Sequence, residues 1–250
     1  MRLATNFFSK HRFIKLRLLL TRPRKDAETL EILLKEMGIQ SIIEPLLDIC
    51  VFDGPDIECH AVAALAMTSA NGVRAFAARS QQRQLPVYAV GDATARIAKD
   101  NGFPEIYSAA GTVCKLATLI INSLPPDAGI VLHPAANRVA GDLEGYLREA
   151  GFSYQREIIY EAVSAKHLSP SIVAQIQAGK IDGVVLFSPR TGATFKALAE
   201  KAGLIDALTS LRAYCLSKAV ADTIISLSWL DVCTAENPTQ ASFLKLLDTY

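Results

Sequence analysis

The sequence predicts an α/β protein made of two similar, doubly wound parallel-sheet lobes, joined by a two-stranded β hinge, with an active-site cleft between the lobes. Three observations support this fold class. Apolar runs of strand length alternate with stretches of helical periodicity along the chain. A segment of the middle of the chain is repeated near its end without gaps. The last third of the chain contains only three strands, so it needs strands from elsewhere to form a sheet.

The first strand–helix unit comprises "KLRLLLT" (15–21) and "RPRKDAETLEILLKEMG" (22–38). Leucines recur in the second run at helical spacing, and Gly38 stands where a glycine commonly ends a helix. The following segment, "IQSIIEPLLDICVF" (39–52), is extended and interrupted by Pro45.

The middle of the chain alternates strands and helices regularly. The predicted strands are "AVAALAMTS" (61–69), "VYAV" (87–90), "EIYS" (105–108), "GIVLHPA" (129–135) and the long "FSYQREIIYEAV" (152–163). The predicted helices are "ANGVRAFAARS" (70–80), "DATARIAKDNG" (92–102), "VCKLATLIINSL" (113–124) and "VAGDLEGYLREAG" (139–151). Such alternation is typical of parallel sheets with helices on both faces.

The same alternation resumes after residue 165. The predicted strands are "GVVLFS" (183–188), "AYCLS" (213–217) and "DVCTA" (231–235). The predicted helices are "SPSIVAQIQAG" (169–179), "RTGATFKALAEKAG" (190–203), "KAVADTIISL" (218–227) and "TQASFLKLLDTY" (239–250).

Two segments of the chain repeat each other. Residues 88–110 align with residues 214–236 at a constant offset of 126, which superimposes Tyr88 on Tyr214. "MTSANGVRAF" and "LFSPRTGATF" align at an offset of 119, with Ser69 over Ser188. The repeat predicts that two homologous sheets exist.

The strand count assigns the chain to lobes. Lobe 1 is predicted to contain residues 16–45 plus 166–250, and lobe 2 is an insertion of residues 50–160. Residues 1–15 form a basic N-terminal extension, for which an amphipathic transit peptide is the alternative. The chain then crosses between lobes twice, at "EPLLDICV" and "REIIYEAV", and two adjacent extended crossings can pair as a β ladder.

Composition excludes several function classes. A net charge of +1 and a pI near 7.6 predict no nucleic-acid partner, and no apolar run is long enough to predict a membrane span. The five cysteines contain no C-x-x-C pair and share no ligand spacing with the four histidines, so we expect reduced thiols, a cytoplasmic location and no metal. Dinucleotide, phosphate-loop and nucleophile-elbow motifs are also missing.

The predicted carboxyl ends of the strands carry hydroxyls, glycines and one amide, each at the start of a helix. Ligands bind at this edge of open parallel sheets, and helix N-termini favour anions. Each Ser, Thr or Asn is individually explained as a helix cap, whereas five such termini together predict an anionic ligand. The candidate binding residues are Thr21, Arg22, Pro23, Thr68, Ser69, Ala70, Asn71, Gly91, Thr94, Ser188, Pro189, Ser217 and Lys218.

The chain resembles the uroporphyrinogen-III synthase family over about residues 16–250. The residues that carry the resemblance are "LLTRP", "MTSANGVRAF", "YAVGDATARIAKDNGF", "IIYEAV" and "LFSPRTGATF", in the order of the family. The resemblance implies a cyclising lyase of tetrapyrrole biosynthesis. Its substrate is hydroxymethylbilane, which the enzyme closes with loss of water and inversion of ring D through a spiro intermediate. No cofactor is implied, and we expect a monomer that contacts the preceding pathway enzyme transiently.

By family position, the expected proton donor is Tyr160, in the second crossing. A phenol stays protonated at neutral pH and can hydrogen-bond a departing hydroxyl; the alternative role is a tyrosine that packs between the lobes. The chain departs from the family at Ala219 and Val220, where threonines are common, which weakens hydroxyl binding by the last lobe.

Two alternatives to a ring-closing enzyme remain at this stage. The first is a non-enzymatic two-lobed protein that binds a small anionic ligand, and the second is a nucleotide-using transferase.

Overall fold

The computed structural model describes residues 16–109 and 111–248, so the predicted basic extension 1–15 and the last two residues of the final predicted helix lie outside the described residues. Its elements, in chain order, are β1 (Arg17–Leu20), α1 (Arg24–Glu36), β2 (Gln40–Ile43), β3 (Leu47–Val51), β4 (Val62–Met67), α2 (Ala70–Arg79), β5 (Val87–Ala89), α3 (Asp92–Asp100), β6 (Ile106–Ser108), α4 (Val113–Ser123), β7 (Ile130–Ala136), α5 (Leu143–Glu149), β8 (Ser153–Ser164), α6 (Pro170–Gln177), β9 (Gly183–Leu186), α7 (Pro189–Lys201), α8 (Ile205–Leu208), β10 (Arg212–Cys215), α9 (Lys218–Ala221), β11 (Asp231–Thr234) and α10 (Gln240–Leu247).

The described chain divides into two compact units. The first unit contains the described residues up to Asp48 together with those from Ser164 onward, and the second unit is Ile49–Val163. The α/β class with parallel sheets, predicted from the alternation of apolar runs, is confirmed.

The first unit contains a five-stranded sheet in the order β11-β10-β9-β1-β2, and its strands pair in parallel. Strand β1 lies inside this sheet, and its residues Leu18, Leu19 and Leu20 are completely buried. They divide between two core clusters, since Leu19 packs with Phe195 and Leu18 and Leu20 pack with Phe243. A strand covered by helices on both faces reads as a continuous apolar run, which is why "LRLLL" was recognisable.

The second unit contains a six-stranded sheet in the order β3-β8-β7-β4-β5-β6, with parallel pairing from β6 through to β8. One core cluster packs beneath α2 around Met67 and Phe76, and another packs beneath α4 and α5 around Val131 and Leu147. Strand β3, from the first crossing, is the hydrogen-bonded neighbour of β8, from the second crossing.

The sequence repeat extends to the register of the strands. Tyr88 pairs with Tyr107 across β5 and β6, and at an offset of 126 Tyr214 pairs with Cys233 across β10 and β11. Ala66 pairs with Tyr88, as Val185, at an offset of 119 from Ala66, pairs with Tyr214. The segment from β4 to β6 is therefore the structural equivalent of the segment from β9 to β11.

The remaining strands complete the same sheet from a different part of the chain. In the second unit β7 lies beside β4 and β8 beside β7, whereas in the first unit β1 lies beside β9 and β2 beside β1. The two sheets thus share one order of five strands, with β3 as an additional edge strand of the second sheet, but the chain passes through these strands in a different sequence. The segment β1-α1-β2, which lies outside the two repeated stretches of sequence, corresponds to β7-α5-β8.

One predicted helix is much shorter than the sequence suggested. Residues 218–227 were predicted as a helix, but α9 ends at Ala221 and turns follow. The backbone N–H groups of Thr223 and Ile224 reach back only three residues, to Val220 and Ala221, and the Thr223 hydroxyl also donates to the Val220 carbonyl at 2.6 Å. Three-residue hydrogen bonds tighten the chain and end the helix.

A second predicted helix begins later than expected, at Leu143 instead of Val139. Its N-cap is Asp142, which accepts a hydrogen bond from the Gly145 N–H at 2.8 Å. The preceding Gly141 has a φ of 76°, a left-handed conformation that no helix interior adopts.

We expect a fragment of residues 47–164 to fold without the rest of the chain, because it contains β3 and β8 complete together with two core clusters. A shorter fragment, 50–160, loses most of β3 and the end of β8, so we expect a lower melting temperature. Thermal unfolding followed by circular dichroism compares the two. If the longer fragment melts without cooperativity, the second unit depends on the first for its stability.

Candidate active site

Polar side chains from three strands lie near the carboxyl edge of the second sheet, in two hydrogen-bonded groups. Strand β4 is followed by Thr68 and Ser69, β7 carries His133, and β8 carries Tyr160. Strands β4 and β7 are neighbours whose onward connections run in opposite directions, to β5 and to β8. This is the topological switch point at which open α/β sheets bind ligands.

Ser69 joins a helix N-terminus to the tyrosine. It is the N-cap of α2, and its Oγ accepts a hydrogen bond from the Gly72 N–H at 3.1 Å. The same Oγ lies 2.7 Å from the Tyr160 hydroxyl. Ser69 therefore serves both as the predicted cap and as a partner of the predicted proton donor.

A β-bulge sets the direction of the Tyr160 side chain. Along β7 and β8 the pairing passes from Ala135 with Ile158 to Ala136 with Tyr160, so one extra residue lies in β8. Tyr154 packs beneath α4 and α5, but Tyr160, six residues later, packs beneath α2. Residues six apart in a regular strand share a face, and the bulge is what turns Tyr160 toward Ser69.

Burial controls the acidity of Tyr160. The side chain is only 6% exposed. This burial raises the pKa of the phenol above its ordinary value of 10.0, and the hydrogen bond with Ser69 acts in the opposite direction. The hydroxyl therefore carries its proton at neutral pH, which suits an acid, while the low exposure also suits the packing role considered above.

A second polar chain lies on the opposite face of the same strands. His133 Nε2 is 2.9 Å from Thr68 Oγ1, and His133 Nδ1 is 2.7 Å from the Tyr154 hydroxyl. The histidine is 1% exposed. The sequence reasoning missed His133 and Tyr154, although a histidine followed by a proline inside the apolar run "VLHPAA" was a visible signal, since proline within a central strand marks an irregularity.

Burial changes the acid–base behaviour of both groups. Desolvation, with a smaller contribution from Arg156, lowers the pKa of His133 to about 4. Desolvation also raises the pKa of Tyr154 to about 12. Both side chains are therefore neutral at pH 7.

The other predicted residues of this unit lie in the first turns of α2 and α3. Ala70 begins α2, and the Asn71 side-chain carbonyl accepts a hydrogen bond from Arg74 at 2.8 Å. Gly91 is the N-cap of α3 in an extended conformation, and a Cβ there would meet only ordinary contacts, 3.7 Å from the Gly111 nitrogen. Thr94 is buried, at 5% exposure.

In the first unit, the residues after β1 make contacts of their own. The Thr21 hydroxyl is fully buried and donates to the Val185 carbonyl at 2.6 Å. The Arg22 guanidinium lies 4.5 Å from the centre of the Phe187 ring and 3.5 Å from Asp26. Pro23 is the N-cap of α1.

The serines that follow β9 and β10 differ in whether their side chains cap the next helix. Ser188 caps α7 by accepting from the Thr191 N–H at 3.1 Å, and Pro189 is the first residue of that helix. Ser217 precedes α9 without a side-chain cap. The exposed ammonium of Lys218 pairs with Asp222 at 2.8 Å.

Ala219 and Val220, the two residues at which the sequence departs from the threonines common in the family it resembles, lie in this short helix. Val220 is 1% exposed and packs in a core cluster, whereas Ala219 is exposed. The repeat equivalent of Val220, Thr94, is buried as well. The position is therefore buried in both units.

The described part of the chain contains no metal cluster and no membrane-spanning helix. Among residues 16–109 and 111–248, His, Cys, Asp and Glu side chains form no group of three or more that could hold a metal ion. Over the same ranges, the helices are all too short or too polar to cross a membrane.

We expect His133 to make stability depend on pH below neutrality. The unfolded chain binds a proton near pH 6.5, but the folded protein does so only near pH 4. His133 therefore does not lower the free energy of unfolding above pH 6.5. As the pH drops to about 4, the free energy of unfolding falls by up to about 3 kcal/mol, because only the unfolded chain takes up the proton. Urea unfolding measured across this range tests this, with His133→Gln as the control. An equally steep pH dependence in His133→Gln would contradict the assignment.

Comparison with known proteins identifies the family. Among curated protein sequences there is no match. A solved uroporphyrinogen-III synthetase from Helicobacter pylori is 16% identical, with a TM-score of 0.61, over 94% of this chain and 99% of that chain. A mutant uroporphyrinogen III synthase from Thermus thermophilus is 17% identical, with a TM-score of 0.49, over 94% of this chain and 100% of that chain. The family model of uroporphyrinogen-III synthase HemD matches residues 28–245, which is most of the sequence, and the chain therefore belongs to this family.

Proposed function

We propose that this protein closes hydroxymethylbilane to uroporphyrinogen III, with loss of water and inversion of ring D. Membership of the HemD family supports this reaction. In the structure, the observation that carries the proposal is the 2.7 Å hydrogen bond between Tyr160 and the N-cap serine of α2. A non-enzymatic anion-binding protein, the alternative considered from the sequence, is not favoured by the family match.

The hydrogen bonds of Ser69 suit Tyr160 to act as an acid. Ser69 Oγ already accepts from the Gly72 N–H, and its own hydrogen is available to donate to the phenol oxygen. In that arrangement the phenol hydrogen points away from Ser69 and can be given to the terminal hydroxyl of the substrate. The carbon–oxygen bond breaks, water leaves, and the bilane becomes a protonated azafulvene, whose positive charge balances the negative charge left on the phenol oxygen.

The phenolate that forms has two stabilising neighbours. The Ser69 O–H donates to it, and the positive end of the α2 dipole lies beside it. Ring D then attacks the azafulvene carbon to form the spiro intermediate, and cleavage and reclosure of that intermediate invert the ring. The proton lost from the pyrrole carbon during closure restores the phenol, so the net products are the macrocycle and one water molecule. No cofactor takes part in this scheme.

Helix N-termini are proposed to hold the acetate and propionate groups of the substrate. The first turns of α2, α3 and α7 each follow a strand at its carboxyl end, and their free N–H groups favour anions. This explains how a chain of net charge +1 can bind a substrate with many carboxylates. Helix α9, with four residues, contributes less, because its dipole is short.

The two units are proposed to act as separate lobes, with residues 16–45 plus 166–250 in one and 50–160 in the other. Strands β3 and β8 are the two chain crossings, and their pairing supports a hinge at this point. The hinge would allow the lobes to close on the substrate.

The remaining expectations concern the cell. We propose a cytoplasmic monomer that receives hydroxymethylbilane by transient contact with the enzyme that makes it. The five cysteines, which include no C-x-x-C pair, support a reducing compartment. Rapid transfer would limit spontaneous closure of the substrate, which gives the symmetric isomer.

We expect Tyr160→Phe to slow the reaction by about 100-fold or more, the usual contribution of a general acid. The residual product should still be enriched in the inverted isomer, since the binding residues remain. Initial rates and separation of the oxidised porphyrin isomers measure both quantities. Tyr146→Phe, which removes an exposed phenol from α5, is the matched control and should react normally.

Two outcomes would be decisive against this assignment. An unchanged rate in Tyr160→Phe removes the phenol from the mechanism and leaves it a packing role. A wild-type protein that yields only the symmetric isomer refutes the proposed reaction.

Ser69→Ala and Thr21→Val separate catalysis from stability. Ser69→Ala removes the hydrogen bonds to the Gly72 N–H and to Tyr160, and Thr21→Val removes the one to the Val185 carbonyl, so each should lower the free energy of unfolding by about 1 kcal/mol or more. Only Ser69→Ala should also slow turnover, because Thr21 is buried and bonded to the Val185 carbonyl. Denaturant unfolding and initial rates are measured on both variants. A Thr21→Val protein of normal stability but raised KM would place the Thr21 hydroxyl on the substrate instead.

A further inference from the structure

The chain Tyr154–His133–Thr68 takes no part in the mechanism above, yet it ends at the candidate site. Its imidazole is 1% exposed and has a hydroxyl partner at each nitrogen, 2.7 Å and 2.9 Å away. Thr68, at its outer end, is only partly buried and directly precedes Ser69. A polar chain that passes from the interior of the unit to this edge requires an explanation.

The fold does not require this chain, because the other unit lacks it. By strand register, Leu65 pairs with Leu132 as Val184 pairs with Leu19. His133 therefore corresponds to the completely buried Leu20. Thr68 corresponds, at an offset of 119, to Phe187, whose ring packs edge-on against Phe243. At the positions of His133 and Thr68 the first unit thus has the apolar residues Leu20 and Phe187, so the complete polar chain belongs to the unit that contains Tyr160.

The chemistry of the three groups decides the direction of the hydrogen bonds. A phenol O–H is more acidic than a threonine O–H and is therefore the stronger donor of the two hydroxyl partners, and an unprotonated imidazole nitrogen is a better acceptor than a phenol oxygen. Tyr154 therefore donates to Nδ1, which assigns the hydrogen of the neutral ring to Nε2. The Nε2–H then donates to Thr68 Oγ1.

The charges around the ring are consistent with a neutral imidazole. Arg156, on β8, pairs in register with His133, and its positive charge disfavours an imidazolium. Tyr154 and Thr68, the hydroxyl partners of the ring, carry no charge at neutral pH.

We infer that His133 is a positioning residue, which holds Thr68 so that its hydroxyl hydrogen is offered to an acceptor oxygen of the substrate. An imidazole N–H that occupies the threonine oxygen prevents Thr68 from turning its own hydrogen inward. Thr68 then acts as a directed donor beside the Ser69–Tyr160 pair. This inference rests on the proposed function for its substrate, a bilane whose carboxylates and terminal hydroxyl all accept hydrogen bonds.

The kinetic test compares substitutions that keep or remove the donor at position 133. His133→Leu, which introduces the residue found in the other unit, should lower kcat/KM by about tenfold, the effect of one well-directed hydrogen bond. His133→Gln, whose amide N–H can still reach Thr68, should recover most of that loss. Thr68→Val should match His133→Leu, and the double variant should be no slower than Thr68→Val alone, because both changes remove the same interaction.

The control is Ser80→Ala, which removes another buried hydroxyl of the same unit, 5% exposed, at the end of α2. If Ser80→Ala loses as much activity as His133→Leu at equal loss of stability, the histidine is only structural. Additive losses in the double variant, or no recovery in His133→Gln, would overturn the inference in the same way.

A spectroscopic measurement tests the inference without substrate. Nitrogen chemical shifts of ¹⁵N-labelled histidine, assigned by comparison with His133→Gln, distinguish the two neutral tautomers, and we expect the hydrogen on Nε2. A hydrogen on Nδ1 would overturn the inference even in an active enzyme. A wild-type protein that fails to form the inverted isomer would instead refute the proposed function, and the tautomer would still be measured.

Discussion

The parallel pairing of β1 with β9 is the interaction on which the discontinuous first unit depends. It joins residues 18–20 to residues 183–185. Without β1 and β2, the last part of the chain would offer only three strands, with one side of β9 unpaired. Buried backbone groups must be paired, and the three leucines of β1 are completely buried. After the last paired residue of β1, the Thr21 hydroxyl adds one more link between the two strands by donating a hydrogen bond to the Val185 carbonyl.

The pairing of β1 with β9 also determines where the second unit lies in the chain. Because β2 must return beside β1, the chain leaves the first unit at β3 and returns at the end of β8, and the whole second unit is inserted between them. The two crossings are therefore neighbours in a sheet, although about one hundred residues separate them in sequence. In the second sheet, strands β4 to β8 repeat the strand order of the first sheet and β3 is an additional edge strand, so the two sheets agree in order over five strands while their connections differ.

A shared order of five strands leaves the chemistry of each unit free to vary. At the carboxyl edge of the first sheet, the residue after β9 is the apolar, partly buried Phe187, whose ring lies 4.5 Å from the Arg22 guanidinium. At the corresponding edge of the second sheet, Thr68, His133 and Tyr154 form a polar chain, and a bulge in β8 turns Tyr160 to Ser69. The duplicated sheet supplies helix N-termini in both units, whereas the proton chemistry is proposed for only one of them.

The sequence by itself determined the features that depend on neighbouring residues. Apolar periodicity located most strands and helices, the serines at 69 and 188 were placed correctly as helix caps, and the repeat and motif order indicated the family. The five-stranded first sheet also followed, because counting strands required β1 and β2 to join the last three. Tyr160 was named by family position alone.

Only the tertiary structure decided the features that depend on residues far apart in the chain. The end of α9 at Ala221, the complete burial of Thr21, and the contact of His133 with Thr68 and Tyr154 leave little trace in local periodicity. The orientation of Tyr160 depends on one extra residue in β8 relative to β7, a difference that exists only once the two strands pair. A single residue of register reverses the face of a strand, so the partner of this phenol was decided by pairing across the sheet and not by its neighbours in sequence.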